Sequence, residues 1–391
     1  MPDRIAAGER LLVTFETLAL ILGIGLLGPL LGWSDRWRIP TVVGEIAAGV
    51  IVGSTGLRWV DPTEPTFAFL ASLGFALVMF VAGSHVPIRD RDLFRGLGVA
   101  SGRLAIVVVA ATILGCAVAW GFGTGHGSLY AVLFASSSAA VILPVVSALT
   151  LSGPPVLQLL PQVAIADTLT IIALPLALSP AAAGQATLGT LAVIAASGAV
   201  FLVLWQAERR GLRVAVHRKS ERRGFALELR ISLLLLVLLA ALAIWSKVSI
   251  MLAGFCLGMV VAAIGEPRRV ARQLFGLTEG MFAPIFFVWL GASLDLRDLG
   301  AHPGMILLGT VLGAGAMLAH LAARLAGQSM PYALMAAAQL GLPVAAVTLG
   351  THLDVLLPGE ASALLLGALI TIAVTAAAGR VAARPAHAPG G

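Results

Sequence analysis

Apolar stretches of about 20 residues, the length at which a helix crosses a hydrocarbon core roughly 30 Å thick, recur along this chain from one end to the other. No other feature constrains the fold as tightly. Inside such a layer each backbone N–H and C=O must find its partner within the protein, so the stretches read as helices. Composition agrees: of 391 residues, 59% are hydrophobic and only 11% charged, against about 25% charged in soluble domains. The spacing predicts an all-α polytopic membrane protein of about thirteen transmembrane helices, roughly 11–31, 39–56, 66–84, 96–121, 127–150, 158–180, 187–206, 229–246, 249–265, 276–294, 303–325, 330–351 and 361–379. The first follows an N-terminus of mixed charge without a small-residue cleavage site, and reads as a retained span rather than a signal peptide. Cys116 and Cys256 both lie in apolar runs, so neither a disulfide nor a metal site is expected.

Charge orients these spans. Cytoplasmic loops are rich in Lys and Arg. The odd-numbered loops and the C-terminal tail hold 20 of the 25 basic residues, and the other side holds Arg4, Arg10, Arg58, Lys247 and Arg297. That asymmetry predicts an N-terminus outside, a C-terminus in the cytoplasm and residence in the plasma membrane. It also assigns the sequence pI of 10.3 to a cytoplasmic face beside anionic lipid, not to nucleic acid. The basic loop 207–228 separates two halves, about 39–180 and 249–379, and a short Ala/Pro/Gly-rich tail, 380–391, is expected to be disordered. The whole chain reads as a single membrane transporter domain, with no soluble domain and no nucleotide gating expected.

The halves resemble each other. FALVMFVAGSHVPIRD in span 3 matches FAPIFFVWLGASLDLRD in span 10. Spans 5 and 12 both open on Tyr-Ala and carry Leu-Pro-Val, and AAGVIVG of span 2 matches AGFCLGMVV of span 9. The offset is seven spans, an odd number, so the second copy enters from the opposite side: an inverted-topology repeat, characteristic of secondary transporters. Pro144 in span 5 and Pro343, with Gly341, in span 12 mark broken helices, because proline removes an amide donor and disfavours helix at the residue before it. Paired broken helices point to a binding site. Ser136, Ser137 and Ser138, just ahead of Pro144, have oxygens suited to capping a half-helix or to a cation.

PQVAIADTLT (161–170) places Asp167 nine residues into span 6, about 13 Å deep at 1.5 Å per residue. Among nineteen acidic residues it is the deepest without a basic neighbour in sequence. An intramembrane carboxylate is functional by default. Taking it out of water penalises its charged form; either a proton or a cation relieves that penalty, and the two compete. A site of this kind, exposed alternately to each side, exchanges one for the other. Thr168, Gln339 and Glu45 are further candidates for ligands or cavity lining, and His320 in span 11 is a candidate pH sensor or a helix-interface hydrogen bonder.

Taken together, IPTVVGEIAAGVIVGSTGL, LGFALVMFVAG, SSSAAVILPVV, AIADTLT and FFVWLGASLDL, over about 11–379, resemble the monovalent cation:proton antiporter superfamily, the sodium/hydrogen exchanger and Kef-like group. The resemblance implies a homodimer of thirteen-helix protomers, a scaffold and a moving core, two crossed broken helices, an essential aspartate matching Asp167, and no cofactor. Three positions depart from the family pattern: Ala166 stands where a polar residue usually precedes the aspartate, span 10 lacks lysine, and Leu340 stands where many members carry arginine. A single carboxylate without a buried cation implies 1:1 electroneutral exchange of Na⁺ or K⁺ for protons. The alternatives are a sodium-coupled symporter of an organic solute and a non-transporting sensor or inactive paralogue. No nucleophile–base pair, phosphate loop or metal cluster points to an enzyme.

Overall fold

The computed structural model describes residues 15–32, 41–84, 91–178, 183–211, 225–246, 248–265, 268–294, 297, 300 and 303–383. Within them every expected span corresponds to a helix. These are α1 (Phe15–Gly25, continued by Leu27–Gly32), α2 (Thr41–Val52), α3 (Pro65–Ser84), α4 (Arg91–Phe122), α5a (Gly127–Ala135), α5b (Ala139–Ala148), α6 (Pro154–Leu178), α7 (Ala183–Arg209), α8 (Leu227–Trp245) and α9 (Ile250–Ile264). They are followed by α10 (Arg268–Leu277, a π-helical turn Thr278–Phe282, then Ala283–Ser293), α11 (Pro303–Leu321, closed by a 3₁₀ turn Ala322–Ala326), α12a (Met330–Ala336), α12b (Gly341–His352) and α13 (Glu360–Ala382). Among the described residues, nine helices are long and apolar enough to cross a membrane, and shorter apolar ones accompany them. Most of the basic loop 207–228, and the tail from 384, lie outside the described residues.

The helices sort into two bundles. A scaffold holds α1, α2, α3 and α7 to α10; a core holds α4, α5, α6, α11, α12 and α13. In the scaffold the main pairs are α2 with α10 and α3 with α9. The predicted repeat exchanges α2 with α9 and α3 with α10, so it converts one of these pairs into the other. In a membrane, helices associate through close packing rather than through a hydrophobic drive, and small residues let their backbones approach. Both crossings do this through a Gly-xxx-Gly stretch, Gly49 to Gly53 running off the end of α2 and Gly254 to Gly258 in α9. A Cβ on Gly49 would meet Val288 O of α10 at 2.2 Å, and one on Gly258 would meet Phe80 O of α3 at 2.2 Å.

In the core, α4 packs on α5a and α6, while the repeat-related α11 packs on α13 and α12a. The first turns of α5a and α13 are joined by a buried carboxylate. Glu360 accepts from Tyr130 Oη at 2.6 Å and from the Leu357 amide at 2.8 Å, with His126 Nδ1 2.7 Å away. Where the bundles meet, Ile46, Leu290 and Leu294 of the scaffold face Leu340, Val344 and Leu365 of the core across an apolar crevice. Such a seam has no directional bonds between the side chains that line it.

Candidate functional site

Two backbone breaks meet in the core. The first follows Ala135, where residues 136–138 leave the helix before α5b begins. Serines compete for backbone hydrogen bonds and so oppose helix continuation. Ser136 Oγ donates back to Leu133 O at 2.7 Å, and the Ser136 backbone is extended, at φ −74° and ψ 153°. The Ser138 carbonyl takes the first backbone bonds of α5b, from Val141 and Ile142. The second break follows Ala336 and ends at Leu340, whose φ of −141° and ψ of −68° turn the chain into α12b.

The breaks are tied to each other by reciprocal bonds. Ser137 Oγ donates to Ala336 O, the last carbonyl of α12a, at 2.5 Å. Gln339 Nε2 donates to Leu133 O, in the last turn of α5a, at 2.5 Å. Aligning Tyr130 with Tyr332, an offset of 202 residues, sets Ser137 opposite Gln339. The two ties are therefore related by the repeat, and each supplies a donor to the carbonyl-rich, negative end of the opposing half-helix. The Gln339 amide donates to Thr371 Oγ1 of α13 at 3.1 Å, fixing the second break from behind.

Asp167 lies on α6, 4% exposed, with Oδ2 accepting the Ala139 amide at 3.1 Å. Ala139 is the first residue of α5b. The carboxylate thus sits on the N-terminus of a half-helix, where unpaired amides and the helix dipole favour negative charge. Pro161 and Pro175 lie inside α6, which remains continuous around them.

The structure brings Ser136, Ser137, Ser138, Gln339 and Asp167 to one crossing. Thr168 is one residue from Asp167, but its hydroxyl donates to Ala164 O of its own helix. Glu45 is not at the crossing. It is buried in α2, on the scaffold, with its Cγ against Gly28 of α1. The prolines do not mark the breaks: Pro144 is the sixth residue of α5b, and Pro343 the third of α12b. Pro343 is tolerated because a first-turn amide has no intrahelical partner in any case. The shared Leu-Pro-Val therefore misaligns the two spans, whereas the tyrosines align them. Gly341 starts α12b rather than forming a flexible joint; its bare Cα faces Met79 and Met251 of the scaffold. Thr371 and His320 are buried at the crossing as well. Their sequence signal was a polar side chain in an apolar run.

The profile described as "Sodium/hydrogen exchanger, transmembrane" matches residues 21–382. The chain belongs to that family. Among relatives of this exchanger-family chain, YjbQ of Bacillus subtilis is 25% identical, with 90% of this chain aligned to 61% of that protein. The Na⁺/H⁺-K⁺ antiporter GerN of Bacillus cereus is 22% identical over 76% of each chain. The chain thus spans about three fifths of YjbQ's length. The structure of the sodium proton antiporter MjNhaP1 from Methanocaldococcus jannaschii superimposes with a TM-score of 0.63 at 17% identity, covering 98% of this chain and 99% of that one. It shares the fold: an all-helical, multi-pass membrane protein with an inverted repeat and two crossed broken helices.

Proposed function

We propose that this exchanger-family protein is a secondary active transporter that exchanges a monovalent cation, Na⁺ or K⁺, for protons by alternating access. Asp167 is the shared cation and proton site. The observation that carries this reading is the Asp167 carboxylate seated on the α5b N-terminus at the crossing of two broken helices. Burial penalises the bare carboxylate, so it holds a proton or a cation, one at a time. Oxygens of the serine break lie beside it, and the cation is hard and oxygen-seeking. The names of GerN and MjNhaP1 point the same way.

Movement of the core past the scaffold along the apolar seam then exposes the site to either side, with residues about 39–180 and 249–379 as the two repeats of one transporter domain. With Ala166 beside it, the carboxylate exchanges one cation for one proton. The basic-residue asymmetry supports an N-terminus outside and a C-terminus in the cytoplasm, in the plasma membrane. The family resemblance supports a homodimer. An organic-solute symporter is disfavoured by the apolar lining of the crevice between the bundles.

The test is dissipation of a preset pH gradient in proteoliposomes by Na⁺, K⁺ or Li⁺, with and without a membrane potential. Wild type is expected to exchange at a rate indifferent to potential, and Asp167→Asn to fall to background while remaining folded. Folded wild type that moves no protons with any of these cations would sink the antiporter reading and favour a non-transporting paralogue.

A further inference from the structure

We propose that His320 is a positioning residue for the Asp167 site, acting through the Ser136 carbonyl. This rests on the antiporter reading of that site. His320 lies near the end of α11, its side chain fully buried, with Nε2 3.0 Å from Ser136 O. A carbonyl oxygen only accepts, so Nε2 carries the proton. The Phe134 backbone also hydrogen-bonds to the ring, so the imidazole is anchored as a donor to the end of α5a.

What it fixes is the three-residue break. Ser136 O is held by His320 of α11, and the Ala139 amide is held by Asp167 of α6. The two ends of the break are thereby held by two different helices, with Ser137 tied to α12a between them. The path of residues 136–138 decides where the α5b N-terminus meets the carboxylate. Releasing the Ser136 end frees the peptide planes that aim the Ala139 amide, so the Asp167 oxygens lose their orientation. The Ser137 tie holds the middle of the break to α12a and the Gln339 tie holds the last turn of α5a; neither reaches the Ser136 carbonyl. The His320 tie is additional to that repeat-related pair, and it falls on the half that faces Asp167.

The experiment compares wild type with His320→Leu, which removes the donor, and His320→Gln, whose amide N–H reaches the place of Nε2. Cation binding is read as stabilisation of the detergent-solubilised protein against heating across a Na⁺, K⁺ or Li⁺ titration, and turnover as KM and kcat in proteoliposomes. His320→Leu is expected to need about tenfold more cation for half-maximal stabilisation and to show a KM raised about tenfold, with kcat within about threefold. His320→Gln is expected to stay within about threefold of wild type in both. A leucine variant that binds within about twofold of wild type overturns the proposal, as does a glutamine variant as impaired as the leucine one. Should His320→Leu fail to fold, His320→Asn replaces it. Its amide is too short to reach Ser136 O, so wild-type binding by that variant is the overturning result. A wild type that binds cation without exchanging it defeats the antiporter reading while the binding titration still decides the role of His320. A wild type with no cation response at all overturns both.

Discussion

Two of the helix crossings in this molecule are built from opposite materials. In the scaffold, α2 meets α10 and α3 meets α9 through glycines, backbone on backbone. In the core, α5 meets α12 through interrupted backbone and side-chain donors, Ser137 and Gln339. The same inverted repeat relates the helices in each case. Contact through glycine leaves all helical hydrogen bonds intact and yields a rigid frame. Contact through breaks frees carbonyls and amides that must be satisfied locally, and it is there that the proposed ion site lies. Rigidity and chemistry have been divided between two bundles, and each copy of the repeat contributes to both.

Single substitutions test this division, beginning with the most severe. Gly49→Ala places a methyl 2.2 Å from Val288 O and 2.9 Å from Gly291 Cα, backbone atoms that cannot turn away. It is expected to cost about 3 kcal/mol, seen as a fall in thermal unfolding temperature and in the yield of monodisperse protein. A Gly49→Ala protein as stable as wild type would break the comparison. Next comes Gln339→Leu, which removes the donor to Leu133 O and is expected to lower exchange about tenfold and stability by about 2 kcal/mol. Ser137→Ala removes the reciprocal tie at about 1 kcal/mol. Because both ties hold one crossing, the double variant should depart from additivity by about 0.5 kcal/mol or more, and strict additivity in a thermal-unfolding cycle would show the ties to be independent. The mildest is Gly341→Ala. Its methyl meets Met79 Sδ at 3.1 Å and Met251 Cε at 3.2 Å, the movable ends of flexible side chains. A loss within about 1 kcal/mol is expected; a loss as large as that at Gly49 would mean that the bundle seam is as rigid as the scaffold.

The helices were legible in the sequence because a bilayer dictates their length, and the repeat because its motifs recur in order. The site was legible in part. Asp167 announced itself as a carboxylate in an apolar run, but its partner is a backbone amide, which every residue other than proline offers, so no residue type could betray it. The break in span 5 was misplaced because proline is a visible breaker, while the serine break is held both by a local bond, Ser136 to Leu133 O, and by a distant one. Ser137 reaches Ala336, 199 residues away. His320 stood as a histidine with two possible roles, and its acceptor lies 184 residues off in the chain. Glu45 had the right chemistry and the wrong bundle, a distinction that only packing makes.

On the proposed one-for-one exchange, Ala166 carries a thermodynamic consequence. A carrier whose crossing offers one exchangeable carboxylate swaps one positive charge for another, so the membrane voltage does no work on the cycle. At rest, the ratio of cation concentrations across the membrane can equal the ratio of proton concentrations and no more. Each pH unit supports about a tenfold cation gradient, and no voltage extends it. Such a protein extrudes a cation against its gradient only while the outside is the more acidic side, and at equal cation concentrations an alkaline medium would run the same machinery inward.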